Sequence, residues 1–176
     1  RAQLQTNSAG TNRILVNPVS TWTYSIGTAE PLPPADESIE DNPDPPDSSF
    51  DWVELHNNGG SAVLLDGWKL SDKATYPAQW TFPTGTILPA GGFLLVACDG
   101  LDLTAPAAGG MLHTNFKLDA AGESIVLADP SGAIVQQVNF GPQSSFQSFG
   151  RDAGGSFGFF DPPSPGAANN GMFLAD

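Results

Sequence analysis

Residues 51–73 read DWVELHNNGGSAVLLDGWKLSDK, and this stretch most restricts what the chain can become. Val53 and Leu55 alternate with Trp52, Glu54 and His56. A period of two builds a strand with one apolar and one mixed face, and it cannot build an amphipathic helix. Asn57-Asn58-Gly59-Gly60 then offers residue types that tolerate positive φ, so a reversal is expected there. Residues 62–65 form a second apolar run, Asp66-Gly67 turns the chain again, and Trp68 and Leu70 share one face of a third strand. The stretch predicts strand, turn, strand, corner, strand. It is a sheet nucleus and contains no catalytic motif.

The remainder continues in the same short period. Residues 13–16 suggest a first edge strand, halted by Asn17-Pro18. Trp80-Thr81-Phe82-Pro83 reads as a short strand with both aromatics on one face. The run Phe93–Cys98 is apolar on both faces, as a central covered strand requires. Ser124–Ala128 and residues 134–140 flank Asp129-Pro130-Ser131-Gly132, a strong type I turn signal, and predict a hairpin. Ser148–Arg151 suggests an edge strand, with Phe157, Phe159 and Phe160 tucked back onto the body. No sustained helical periodicity occurs, and 20 Gly with 16 Pro favour many turns. The fold class is therefore all-β: an antiparallel sandwich or small barrel of about seven to nine strands.

Length allows one ordinary domain with extensions, or two very small ones. Residues 1–12 read as a flexible polar segment, 13–169 as the domain and 170–176 as a tail or linker stub. Within the domain, 19–49 is read as a long insertion loop, acidic and Pro-rich, because Pro lacks the N–H and restricts its predecessor. The chain opens on Arg1 with no signal-like stretch, so it is read as a mature or excised piece of a longer protein. No apolar run approaches the ~18 residues a membrane span needs.

Nineteen acidic residues face six basic ones, a net charge of −13. Such a surface repels phosphate backbones and lacks the Lys/Arg stripe that nucleic acids need. Anionic membrane surfaces are disfavoured for the same reason. Cations or basic partners fit better. Cys98 is the only cysteine, so no intrachain disulfide forms; within its apolar run it reads as a buried small hydrophobe.

The blocks DWVELHN (51–57), LDGWKLSD (65–72), WTFP (80–83), ILPAGG (87–92) and HTNFKL (113–118) resemble the lamin-tail domain in order and spacing. So do Gly122-Glu123, VNFG (138–141), Phe149-Gly150-Arg151 and PSPGAAN (163–169). Together they cover 13–169, and the closing PPSPGAAN is typical of the bacterial branch. The resemblance implies an immunoglobulin-like β-sandwich with no catalytic set. It also implies an extracellular or cell-envelope module of a larger bacterial protein, beside hydrolase, nuclease or adhesive domains. Related animal domains end nuclear filament proteins and bind chromatin and protein partners. This chain departs from them in lacking a basic face and in carrying the acidic insertion.

Several residues remain candidates for chemistry. Asp41, Asp44, Asp47 and Asp51 belong to the acidic run, whose carboxylates are the ligand type Ca²⁺ takes, though without EF-hand spacing. The alternative for that run is a solvated, self-repelling loop. His56 and His113 lack a ligand partner at zinc spacing and are assigned ordinary hydrogen bonds. Glu54 with Asp51 would superficially mimic a glycosidase pair, but Glu54 is expected to face solvent or pair with Lys69 across strands. No nucleophile elbow is present, and the chain is read as no enzyme. Trp22, Tyr24 and Trp52 are the candidate surface aromatics for a protein or glycan partner, and a carbohydrate platform is the remote alternative. Trp68, Trp80 and Phe82 are assigned to the core, and Arg151 is expected to clamp a carboxylate internally. No cofactor is implied beyond the calcium alternative.

Overall fold

The structure is a computed structural model that describes residues 4–6, 12–14, 50–106, 110–143, 147–170 and 172–174; for 4–6, 12–14 and 172–174 only the backbone is described. Fourteen strand segments and no helix occur among these residues. They are β1 (Leu4–Thr6), β2 (Asn12–Ile14), β3 (Asp51–His56), β4 (Val63–Leu64), β5 (Lys69–Ser71), β6 (Trp80–Thr81) and β7 (Ile87–Leu88). Then come β8 (Phe93–Cys98), β9 (Leu112–His113), β10 (Ser124–Ala128), β11 (Ile134–Asn139), β12 (Ser148–Arg151), β13 (Phe157–Asp161) and β14 (Met172–Leu174). The count exceeds the expected seven to nine because several ladder partners are only two residues long. The acidic insertion 19–49 lies outside the described residues.

Two sheets make the body, in the orders β3-β8-β9 and β11-β10-β5-β6. One apolar core joins them. Val53 and Leu55 from β3, with Val96 and Cys98 from β8, meet Leu70, Trp80, Ile125, Leu127 and Val138 from the other sheet. Alternation explains the selection, since in β3, β8 and β10 these are the residues two apart that share a face. Each fully buried aliphatic or aromatic side chain contributes about 1.5–3 kcal/mol of transfer free energy, so this shared face holds the layers together. Trp68, Trp80 and Phe82 lie in this core, and Trp80 meets Phe82 edge-on at 4.9 Å between centroids. Cys98 is buried there too, and burial pushes its thiol well above the ordinary range.

The nucleus folds differently from its sequence reading. Strands β3, β4 and β5 follow one another closely in the chain, yet each joins a different sheet. β3 pairs antiparallel with β8, from Asp51↔Cys98 to His56↔Phe93, while β4 pairs with β7 in a separate two-stranded ribbon. The expected reversal by positive φ is also corrected. None of Asn57, Asn58, Gly59 or Gly60 has positive φ, whereas Gly67, at the predicted Asp66-Gly67 corner, does, with φ +71°.

One ladder is parallel. β9 lies beside β8 with Val96↔Leu112 and Ala97↔His113, so the all-antiparallel expectation fails at one seam. The β10–β11 hairpin forms as expected, its turn closed by the Gly132 N–H donating to Asp129 O at 2.8 Å. A bulge falls between Leu127 and Ala128. β12, β13 and β14 form a third sheet, and its Phe149, Phe157 and Phe159 pack onto the core. β14 is drawn from residues read as a tail, and β1 pairs with β2 within a lead-in read as loose up to residue 12.

Candidate functional site

The corner after β3 is built on Asn57. Its side-chain amide donates to the carbonyls of Ser61 (2.9 Å), Leu88 (3.1 Å) and Pro89 (2.9 Å), and its Oδ1 accepts the Gly59 N–H at 2.9 Å. Two amide hydrogens serve three carbonyls, so one is shared. The Asn57 backbone adds two more bonds, N–H to Gly92 O and carbonyl from Gly91 N–H. One buried residue, through its side chain and its backbone, thereby fixes the end of β3, the approach to β8 and the β4–β7 ribbon relative to one another.

That ribbon is the most exposed apolar feature among the described strands. Leu64 and Ile87 stand opposite each other in its ladder and are 49% and 57% exposed. In an antiparallel ladder, hydrogen-bonded and non-hydrogen-bonded pairs alternate. The Leu65 N–H donates to Thr86 O at 2.8 Å, so the adjacent pair Leu64/Ile87 turns its backbone N–H and C=O groups outward. Asp66 sits at the ribbon's end, its Oδ1 accepting the Gly85 N–H at 2.6 Å.

The mixed face of β3 is buried, contrary to expectation. Trp52, expected on the surface, is 1% exposed and packs with Phe50 and Ala97, flanked by Leu95 and Met111. The small Ala97 directly across the ladder makes room for the indole. Glu54 neither faces solvent nor reaches Lys69. Its side chain is 0% exposed and its Oε2 accepts the Gly166 N–H. Lys69 donates instead to the carbonyls of Gly67 and Pro130. At the end of the same face the His56 ring stacks on Phe93, centroids 4.1 Å apart. Burial lowers the His56 pKa, partly offset by a backbone hydrogen bond with Gly91.

Burial pushes the Glu54 carboxyl up to about 7, against the smaller opposing effect of the Gly166 N–H. The native state then binds a proton that the unfolded chain has lost, so this contribution is complete below pH 4.5 and disappears as pH rises through about 7. At about 1.4 kcal/mol per pH unit, the gap is worth about 3 kcal/mol. Chemical denaturation at pH 4.5 and pH 8 should therefore show a loss of that order, and the loss should shrink by the same amount in Glu54→Gln.

The other candidates separate clearly. Asp41, Asp44, Asp47, Trp22 and Tyr24 lie outside the described residues. Asp51 opens β3, with burial raising its carboxyl and Lys117 opposing. No group of three or more His, Cys, Asp or Glu among the described residues is arranged to hold a metal ion. His113 Nδ1 meets Asp99 Oδ2 at 2.7 Å, the ordinary hydrogen bond expected of it. The expected carboxylate partner of Arg151 is replaced: its guanidinium lies over the Phe157 ring, 4.2 Å from the centroid, and donates to Gly155 O. An aromatic face and a carbonyl therefore stand where a carboxylate was expected, while the buried Nε has no hydrogen-bond partner. Sequence reasoning missed Asn57 and Glu54 as structural keys. The signal available for Asn57 was an Asx-turn residue directly after a strand; for Glu54 there was none, because its partner lies 112 residues away.

The Lamin Tail Domain family profile matches residues 36–142, which takes in β3 to β11 and the Asn57 corner. No curated protein sequence matches the chain.

Proposed function

Because the chain belongs to the lamin tail domain family, whose immunoglobulin-like domains are non-catalytic, we propose that it is a structural or interaction module of a larger bacterial secreted or cell-envelope protein. It presents loops or strand edges to a protein or glycan partner, alongside other domains of the parent chain. The observation that carries this reading is the β4–β7 ribbon, where Leu64 and Ile87 are exposed side by side with outward backbone groups. An extended partner segment docks on such an edge by strand addition, main-chain bonds giving affinity and side-chain contacts specificity. The net charge of −13 favours a basic partner surface over nucleic acid or anionic lipid.

Peptide and glycan arrays test this, comparing the wild type with a Leu64→Asp/Ile87→Asp variant. Both positions are exposed, so the variant should fold, and binding seen with the wild type should be lost. Retained binding would move the interface elsewhere, and a wild type that binds neither array would count against the reading. The alternative, a calcium-dependent adhesion or stabilising module, rests on the acidic run that ends at Asp51. Thermal melts in millimolar calcium and in chelator should give the same midpoint. A rise of several degrees in calcium would favour the metal reading, because an ion bound only to the native state adds stability.

A further inference from the structure

The segment between β13 and β14 is fastened to the body at two points. Asn169 Nδ2 donates to Arg151 O at 2.8 Å. Gly166, at φ +76° in a turn closed by the Ala167 N–H to Ser164 O bond, donates its N–H to Glu54 Oε2. The Glu54 side chain is fully buried, and its Oε1 has no hydrogen-bond partner. Trp52 Nε1, two residues earlier on the same face of β3, has none either. The Gly166 N–H favours the anion, but with every other lone-pair site buried and without a donor, desolvation outweighs it and favours the neutral form.

We propose that Glu54 is a proton-operated latch: neutral, it holds the 164–168 turn down on β3, and ionised, it lets that turn lift about Asn169 and admit water to the buried face. Among the described residues, the charged and titratable groups near it are engaged elsewhere or turned away. On β3, His56 shares its face and is stacked on Phe93, while Asp51 points to the opposite face. On β8, Phe93, Leu95 and Ala97 face the same side and carry no charge. On β9, His113 is bonded to Asp99. On β12, Arg151 lies over Phe157 and donates to Gly155 O, and no ion pair joins it to Glu54, although its buried Nε has no hydrogen-bond partner. From Pro162 to Asn170 the sequence PPSPGAANN holds no ionisable side chain, and Asp161 before it is exposed. Ionisation therefore creates an anion whose only described hydrogen bond is to Gly166, and opening the turn is the nearest way to hydrate it. The upward displacement of the Glu54 carboxyl to about 7 places the transition near neutral pH.

Amide hydrogen exchange followed by NMR from pH 5 to 8.5, corrected for intrinsic rates, tests the latch. Protection at Gly166 should fall by up to about 100-fold between pH 5 and about 7 and level off above, the part of the gap from 4.5 to about 7 that this range covers. Leu55 and Val96 should remain much better protected, because they exchange only when the body opens. In Glu54→Gln, Gly166 protection should be independent of pH. A flat profile in the wild type, or an equal fall in the glutamine variant, would overturn the latch. Should that variant not fold, the side-chain carboxyl ¹³C shift of Glu54 in the wild type decides. Titration near 7 together with the Gly166 amide supports the latch, and titration near 4.5 overturns it.

Discussion

Asn57→Ala is expected to lower the unfolding free energy by about 3–4 kcal/mol, because it strips partners from several backbone carbonyls at once. Each buried polar group left unsatisfied costs about 1–3 kcal/mol, and the Asn57 amide serves Ser61, Leu88 and Pro89. Only part of the nominal sum should appear, since Ser61 and Pro89 lie near enough to the surface for water to replace the lost donor. Asn57→Asp should be at least as harmful: it keeps the acceptor for Gly59 but turns a second oxygen toward three carbonyls. Asn58→Ala supplies the control, because Asn58 is exposed and should change stability by less than about 0.5 kcal/mol. Urea denaturation of the three variants is the measurement. A loss below about 1 kcal/mol for Asn57→Ala would mean that the corner is held by other contacts.

Gly122→Ala should be comparably damaging for a steric reason. A Cβ at Gly122 would stand 2.5 Å from Phe140 O, 2.7 Å from Gly141 C and 2.8 Å from Gly141 Cα. These are backbone atoms and cannot swing aside as a flexible side chain would. The φ of +102° adds strain for any L-residue with a Cβ. We expect a loss of about 3 kcal/mol or more, from strain of about 1–3 kcal/mol plus the displacement of the strand end after β11. Gly85→Ala isolates the strain, since its φ is +88° but nothing lies within 4 Å of the added carbon. That variant should lose only about 1 kcal/mol. Equal losses in the two would show that the close approach of Phe140 to Gly122 is absent in solution.

What the sequence revealed and what it hid divide along physical lines. The β10–β11 hairpin was legible because its turn residues and its two strands are contiguous, so every determinant is local. The core positions of Trp68, Trp80 and Phe82 were legible because alternation assigns side chains to faces. Alternation does not say which strand lies alongside. Nothing in residues 51–65 distinguishes β3 paired to its chain neighbour from β3 paired to β8, about forty residues on. The parallel β8–β9 seam was hidden for the same reason, and the two-residue β9 is too short to show a period. Trp52 and Glu54 were misjudged because a mixed strand face normally meets water. Here the small residue across from Trp52 and the turn at Gly166 cover it, and neither is near in sequence.

That the chain leaves the β3 sheet at Asn57, so that β3 is covered on both faces, is tested most directly by interstrand NOEs. Backbone contacts should join Val53 to Val96 and Leu55 to Leu94, with a parallel set from Ala97 to His113. A ladder running instead from Val53 and Leu55 to Val63 and Leu64 would contradict this arrangement, and with it the burial of Trp52 and Glu54.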